Sequence, residues 1–171
     1  VRLGWLAGLL ALALSHPTPR SIAIGMVLAV LGEALRLWAS GHIEKTQALA
    51  TGGPYAHSRN PLYVGSLAMA AGLAAGSASP WVALATVVYF AAFYPAVIRE
   101  EAAFLRDKFP EYAAWAAEVP LFLPRPTPGG PRSSRFSWQR VARNKEWRTA
   151  IGLPVAALLL WGRMLLDTAA R

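Results

Sequence analysis

Apolar residues in this chain gather into five runs, at roughly 3–14, 22–38, 62–76, 81–97 and 150–166. Crossing the hydrocarbon core of a bilayer takes about 20 apolar residues, with about 17 as a lower bound. The second, fourth and fifth runs approach that length alone, and the third reaches it if it continues through Ser79. The first is short. Arg2 ahead of it and ALS behind it also suit a signal-peptide core, but a helical bundle needs it as a partner. The pattern predicts an all-α integral-membrane bundle of about five transmembrane helices, with cytoplasmic juxtamembrane helices, in a single domain over 1–171.

The polar connections set the expected orientation. Between the fourth and fifth runs lie Arg99, Arg106, Lys108, Arg125, Arg132, Arg135, Arg140, Arg143, Lys145 and Arg148, whereas the GSASP connection between the third and fourth carries no Lys or Arg. With Arg2, Arg36, Lys45 and Arg59, fourteen of the 17 basic residues fall on one side, against Arg20, Arg163 and Arg171 on the other. Lys and Arg concentrate on the cytoplasmic side of membrane proteins, so the N-terminus is expected inside and the C-terminus outside. A motif core is read over 41–125, in which Phe104, Leu105, Tyr112, Trp115 and Val119 form an apolar stripe. RPTPGGPRSS, 125–135 with its flank, reads as an extended, mobile linker. FSWQRVARNKEWR, 136–148, reads as a basic interfacial helix lying in the headgroup plane, and 150–166 as the final span. The chain shows no internal repeat.

Composition agrees with a membrane chain: 55% of residues are hydrophobic and 15% charged, where soluble domains carry about 25%. The net charge is +8, yet the basic residues lie between apolar runs rather than in one patch, so a nucleic-acid partner is not expected. There is no cysteine, which excludes disulfides, thiolate nucleophiles and zinc–thiolate sites. No spacing of His with acids suggests a metal. No Gly-rich strand-to-helix turn supports a dinucleotide fold or a soluble methyltransferase fold.

One polar window interrupts the apolar pattern, ATGGPYAHSRNPLYVGS at 50–66. Pro54 and Pro61 forbid a continuous helix, and Gly52 and Gly53 open backbone conformations closed to other residues. Tyr55, Arg59, Asn60 and Tyr63 then cross the expected start of a membrane helix near Pro61. Free amides and the positive dipole end beside Arg59 suit an anionic group such as a carboxylate. The tyrosines suit a flat base or a cation. Interfacial aromatic and basic anchors account for the same residue types.

A second group, IREEAAF, places Arg99, Glu100 and Glu101 where a span meets the cytoplasm. Ionisable groups at membrane depth are paired or used, and by itself this group reads as a solvated helix end neutralised by Arg99 and Arg106. Glu33 and Arg36 form an i, i+3 pair that can satisfy itself. Gly72 and Gly76 in GLAAG offer a small-residue face for close helix contact.

Together, GHIEKTQALATGGPYAHSRNPLYVG, an apolar hairpin and REEAAFLRDKFPEYAAWAAEVPLFLP resemble the isoprenylcysteine carboxyl methyltransferase family, which is related to the phospholipid N-methyltransferases. The resemblance covers about residues 32–125. It implies an integral-membrane enzyme that takes S-adenosyl-L-methionine from the cytoplasmic side and a lipophilic acceptor from the bilayer. By motif position it implies cofactor contacts at His42, Gln47, Ala48, Leu49, Ala50, Tyr55, Asn60, Pro61, Leu62, Tyr63 and Glu101. Gln47 and Asn60 stand where the prenylcysteine enzymes usually carry His, and Val97 where they carry a substrate-binding Arg. A eukaryotic-type prenylated protein is therefore not the expected acceptor.

The chemistry of that cofactor suits the residues. Glu101 matches its ammonium, Arg59 or the helix-start amides its carboxylate, and the tyrosines its ring or sulfonium. Arg59, Arg99 and Glu100 are the expected catalytic side chains, with Glu100 a proton acceptor if the acceptor is an amine. The expected partners are that acceptor, an isoprenoid or prenylcysteine-like carboxylate or a phospholipid amine, and membrane lipids, with no obligate protein partner and no metal. The expected location is a bacterial inner membrane. Two other readings use part of the same pattern: a membrane NADPH-dependent reductase of the sterol reductase type, and a non-catalytic scaffold. The reductase would need basic residues for a 2′-phosphate, and the first motif offers Lys45 and Arg59.

Overall fold

A computed structural model describes residues 2–44, 47–130 and 135–169, with side chains from Leu6 onward. Lys45, Arg132 and Arg171, and the side chain of Arg2, lie outside the described residues. All five apolar runs are helical: α1 (Arg2–Ala13), α2 (Pro19–Ser40), α3 (Pro61–Ser77), α4 (Pro80–Lys108) and α7 (Trp147–Ala169). Two short helices, α5 (Tyr112–Glu118) and α6 (Trp138–Arg143), follow α4, and a 3-10 turn over Gly53–Ala56 precedes α3.

Three of these helices, α2, α4 and α7, are long and apolar enough to cross a membrane. At 1.5 Å per residue α3 reaches about 26 Å and α1 about 18 Å, against a hydrocarbon core of about 30 Å. The third run stops short of Ser79 because the chain turns there. Ala78 takes a left-handed conformation at φ 49°, and Pro80 starts α4 at its first helical position. Proline suits that position because its missing N–H would have no partner within the helix. Thr18 starts α2 in the same economical way. Its side chain accepts from the Ser21 amide at 3.0 Å while Ser21 Oγ accepts from the Thr18 amide at 2.9 Å, and Pro19 follows.

α2 and α3 form the frame. A Cβ on Gly72 would lie 2.5 Å from the Gly25 carbonyl oxygen and 2.6 Å from the Ala29 amide, and one on Gly32 would lie 2.6 Å from the Gly65 carbonyl oxygen. Only glycine allows that backbone approach, the route to association where lipid gives no hydrophobic driving force. The GLAAG face thus meets a glycine ladder on α2. A Cβ on Gly76, one turn further, would lie 3.3 Å from Leu160 Cδ1 of α7.

The loop end of the bundle holds the core: Ala39, Leu49, Tyr55, Tyr112, Trp115 and Val119 are buried together. Tyr112, Trp115 and Val119 belong to the stripe expected there, whereas Phe104 is exposed. The stretch read as a mobile linker is tied down in its described part. Arg125 donates its amide to His57 O at 3.0 Å, and Gly129 to Ala56 O at 2.8 Å. The basic segment read as one interfacial helix is shorter, because α6 ends at Arg143 and α7 begins at Trp147. It docks on the C-terminal end of α2 through Asn144 Nδ2, which donates to Ser40 O at 2.8 Å. Trp138 and Trp147 still face outward.

Candidate functional site

The polar window folds as two backbone devices in series. Gly52 and Gly53 admit the tight 3-10 turn, with Gly53 at φ 57°; a Cβ there would meet the His42 ring. Asn60 then precedes α3, and Pro61 occupies its first position. Asn60 turns its side chain away from the helix start, and Nδ2 donates to Leu121 O at 2.8 Å. Ser58 Oγ donates to Phe122 O at 2.7 Å. The strap after α5, over 120–130, therefore closes over the window from outside and holds its backbone.

The window also lines a cavity of about 530 Å³, within the usual range for small-molecule sites. Of the residues singled out in the sequence, Ala48, Leu49, Ala50, Tyr55, Arg59, Asn60, Leu62, Tyr63 and Glu101 line it. They come from the loop after α2, the polar window and α4. The Tyr63 hydroxyl donates to Glu101 Oε2 at 2.8 Å, and the Tyr63 ring packs edge-on to Tyr94 with centroids 5.2 Å apart. That bond orients the Glu101 carboxylate across the opening between α3 and α4. Burial holds the Tyr55 phenol well above the usual tyrosine range, and the Glu101, Glu146 and Tyr63 groups push the same way. Tyr55 is thus a neutral hydroxyl at any physiological pH. Two donors of residues in the wall, Arg59 Nε and Trp115 Nε1, are buried without a hydrogen-bond partner among the described residues, which is unusual for buried donors.

The other sequence candidates lie elsewhere. His42 is buried beneath Gly53, with Nδ1 against Trp38 O at 2.9 Å. Gln47 is exposed, at a turn in which its amide donates to Glu44 O at 3.1 Å. Pro61 is fully buried beside a smaller apolar cavity with His57 and Ser58. Arg99 and Glu100 are exposed on α4 outside the cavity, and Arg99 Nε donates to Pro95 O at 2.9 Å.

Sequence reasoning paired Arg36 with Glu33 and missed Glu146, the closer partner. Arg36 lines the cavity, and its Nε donates to Glu146 Oε1 at 2.7 Å, 110 residues away. It also bonds Ser66 Oγ, while Glu33 Oε2 lies 4.0 Å off. The i, i+3 pair is therefore the weaker of the two contacts. Glu146 is the lone acid in RNKEWR, and that isolation among basic residues was the available signal. Trp115 was read only as part of an apolar stripe, since nothing in its spacing marks an indole N–H left unpaired.

Residues 21–112 match the family of phospholipid methyltransferases. The chain is 41% identical over 110 residues to a cobalt-zinc-cadmium resistance protein, CzcN, of Cupriavidus metallidurans, covering 63% of this chain and 51% of that protein. It is 38% identical over 106 residues to a nickel-cobalt-cadmium resistance protein, NccN, of Alcaligenes xylosoxydans xylosoxydans, covering 61% of this chain and 50% of that one. The chain thus spans about half the length of the curated relatives it matches. No solved structure matches it significantly.

Proposed function

Because the chain belongs to the phospholipid methyltransferase family, matched over more than half its length, we propose that it methylates a lipophilic acceptor with S-adenosyl-L-methionine. The observation that carries this is the cavity. Three separated stretches, singled out by motif position or by residue type, line one space with a carboxylate at one wall and a guanidinium at another. The bound cofactor would supply an electrophilic methyl on a sulfonium, which transfers in line to the acceptor while sulfur keeps the bonding pair.

Each residue then has a defined task. Glu101, oriented by Tyr63, takes the cofactor ammonium. Arg59, which lines the cavity and makes no ion pair among the described residues, takes the carboxylate. Tyr55, held neutral by burial, donates without adding charge. Phe104, Leu105 and Phe109 exclude water from the reacting atoms. Positioning and desolvation supply most of the rate in such a displacement, since the acceptor is already nucleophilic. A carboxylate acceptor needs no base. An amine must be neutral, and Glu100 and Arg99 lie outside the cavity where the proton would be lost, so they are proposed to act at its mouth, on the acceptor. The site is proposed to face the cytoplasm of a bacterial inner membrane, on the positive-inside bias.

Calorimetric titration of the detergent-solubilised chain with S-adenosylhomocysteine and with NADPH tests the reading. Binding of the homocysteine compound alone is expected; binding of NADPH alone would replace it with the reductase. The relatives' names bring metal resistance to this chain as a setting for the reaction. Growth of a strain lacking it on cobalt, zinc and cadmium, with rescue by wild type but not by Glu101→Gln, would tie resistance to methyl transfer.

A further inference from the structure

The strap over 120–130, tied to the polar window, builds a second cleft beside it. The Arg59 amide donates to Pro120 O at 2.9 Å, and the Arg125 amide to His57 O at 3.0 Å, with His57 Nδ1 against Arg125 O at 2.8 Å. These bonds clamp two segments more than sixty residues apart and bring both arginine side chains to one cleft of about 480 Å³, walled by Val119, Pro120, Leu123 and Pro124. Nε of Arg59 and Nε of Arg125 are both buried without a partner among the described residues. Among the described residues neither guanidinium makes an ion pair. Glu118 also lines the cleft, but its Oε2 accepts from the Gly130 amide at 2.7 Å. Two guanidinium groups against one engaged carboxylate leave the cleft positive.

An arginine stays charged at any working pH, and its planar fork matches phosphate geometry. Both side chains are partly exposed where they line the cleft, so a phosphate there can accept from both guanidinium groups. The rim carries the second clue. Leu123 is 78% exposed and Leu121 42% exposed, so apolar side chains project from the same strap that presents Arg125. Positive charge at the base and exposed leucines at the lip suit one kind of molecule, an amphiphile with an anionic head.

We propose that this cleft binds the phosphate headgroup of a membrane lipid, with Arg125 as its dedicated ligand and Arg59 as the wall shared with the cofactor cavity. Arg59 has five N–H donors, enough to serve both sides. The site stands apart from methyl transfer, because it concerns binding alone.

The test is titration of the full chain, in uncharged detergent, with dihexanoyl phosphatidic acid, with dihexanoylglycerol and with inorganic phosphate. Phosphatidic acid is expected to bind saturably, and Arg125→Gln to bind it about tenfold or more weakly. Arg143→Gln removes an exposed charge outside the cleft and is expected to stay within about twofold of wild type. Leu123→Glu changes a side chain too exposed to disturb folding, and its carboxylate at the lip is expected to weaken binding by a similar tenfold. Unchanged affinity in a folded Arg125→Gln, or in Leu123→Glu, would overturn the proposal. So would dihexanoylglycerol binding as well as phosphatidic acid, or no binding of either. Inorganic phosphate binding as tightly as the lipid would overturn the headgroup assignment in favour of a free phosphate-bearing solute.

Discussion

α2 and α4 are both long enough to cross a membrane, yet the rest of the chain treats them differently. One-third of the most apolar stretch of α2 is buried within the protein, against 6% of that of α4. α2 lies backbone to backbone on α3 through Gly25, Gly32, Gly65 and Gly72, and its loop end is gripped by Arg36, Glu146 and Asn144. α4 leaves the GSASP turn and presents Trp81, Leu84, Val87 and Phe93 outward. It rejoins the site through the Tyr63–Glu101 hydrogen bond and the Tyr63–Tyr94 ring contact. The difference separates two tasks: the glycine-packed pair gives a rigid frame, and the loosely held helix brings one carboxylate to it.

If that division holds, damage to the frame should unfold the protein and damage to α4 should cost only ligand binding. The largest effect is expected from Arg36→Met, which strips the shared cation from Glu33 and Glu146, both buried. Breaking a buried ion pair from one side costs about 3–5 kcal/mol, and denaturant unfolding in detergent would measure it. A loss below about 1 kcal/mol would mean that this group does not secure α7 to α2. Gly25→Ala comes next. Its Cβ would lie 2.6 Å from the Gly76 amide, and backbone cannot move aside as a side-chain tip can, so a loss near the upper end of about 1–3 kcal/mol is expected. The same change at Gly152, where a Cβ meets nothing within 4 Å, should be neutral or slightly stabilising by helix propensity. Equal melting of the two variants would remove the backbone-contact account.

On the α4 side, Glu101→Gln should leave unfolding nearly unchanged. It should weaken S-adenosylhomocysteine by about 1.5–3 kcal/mol, the worth of a charged hydrogen bond, or roughly ten- to hundredfold. Glu100, one residue earlier and outside the cavity, should tolerate the same change with cofactor affinity intact. Equal losses in both would show that Glu101 is not the ammonium contact. The smallest effect belongs to Val87→Ala at the 64% exposed middle of α4, expected within about 0.5 kcal/mol. A larger loss there would show that something covers this face and that α4 is not free.

Much of the site was legible in the chain because its residue types are out of place there. A polar window with two prolines and two glycines between apolar runs has to be a break, and Arg59, Tyr55 and Tyr63 inside it have to be used or exposed. Glu101 was singled out only by the resemblance, since acids where a span ends read by themselves as a solvated helix end. What spacing could not show was direction. Arg99, Glu100 and Glu101 are adjacent in sequence, and only the rotation of α4 against α3 puts Glu101 at the cavity and the other two outside. His42 and Gln47 flank Ala48–Ala50 closely, yet one ring is packed under Gly53 and the other side chain is exposed.

The sequence by itself determined the elements. Apolar run length, with proline at the first position of α2, α3 and α4, sets where those helices begin, because backbone groups in a nonpolar medium must pair within the segment. The existence of a break at 50–60 followed for the same reason. Tertiary structure alone decided which charges meet. Arg36 lies three residues from Glu33, yet bonds Glu146 at the far end of the chain. Arg59 shares a cleft with Arg125 because the strap returns over the 56–59 turn. Local spacing limits which neighbours a side chain can reach, but the choice among distant partners depends on how the helices pack, and that depends on where glycines let two backbones touch.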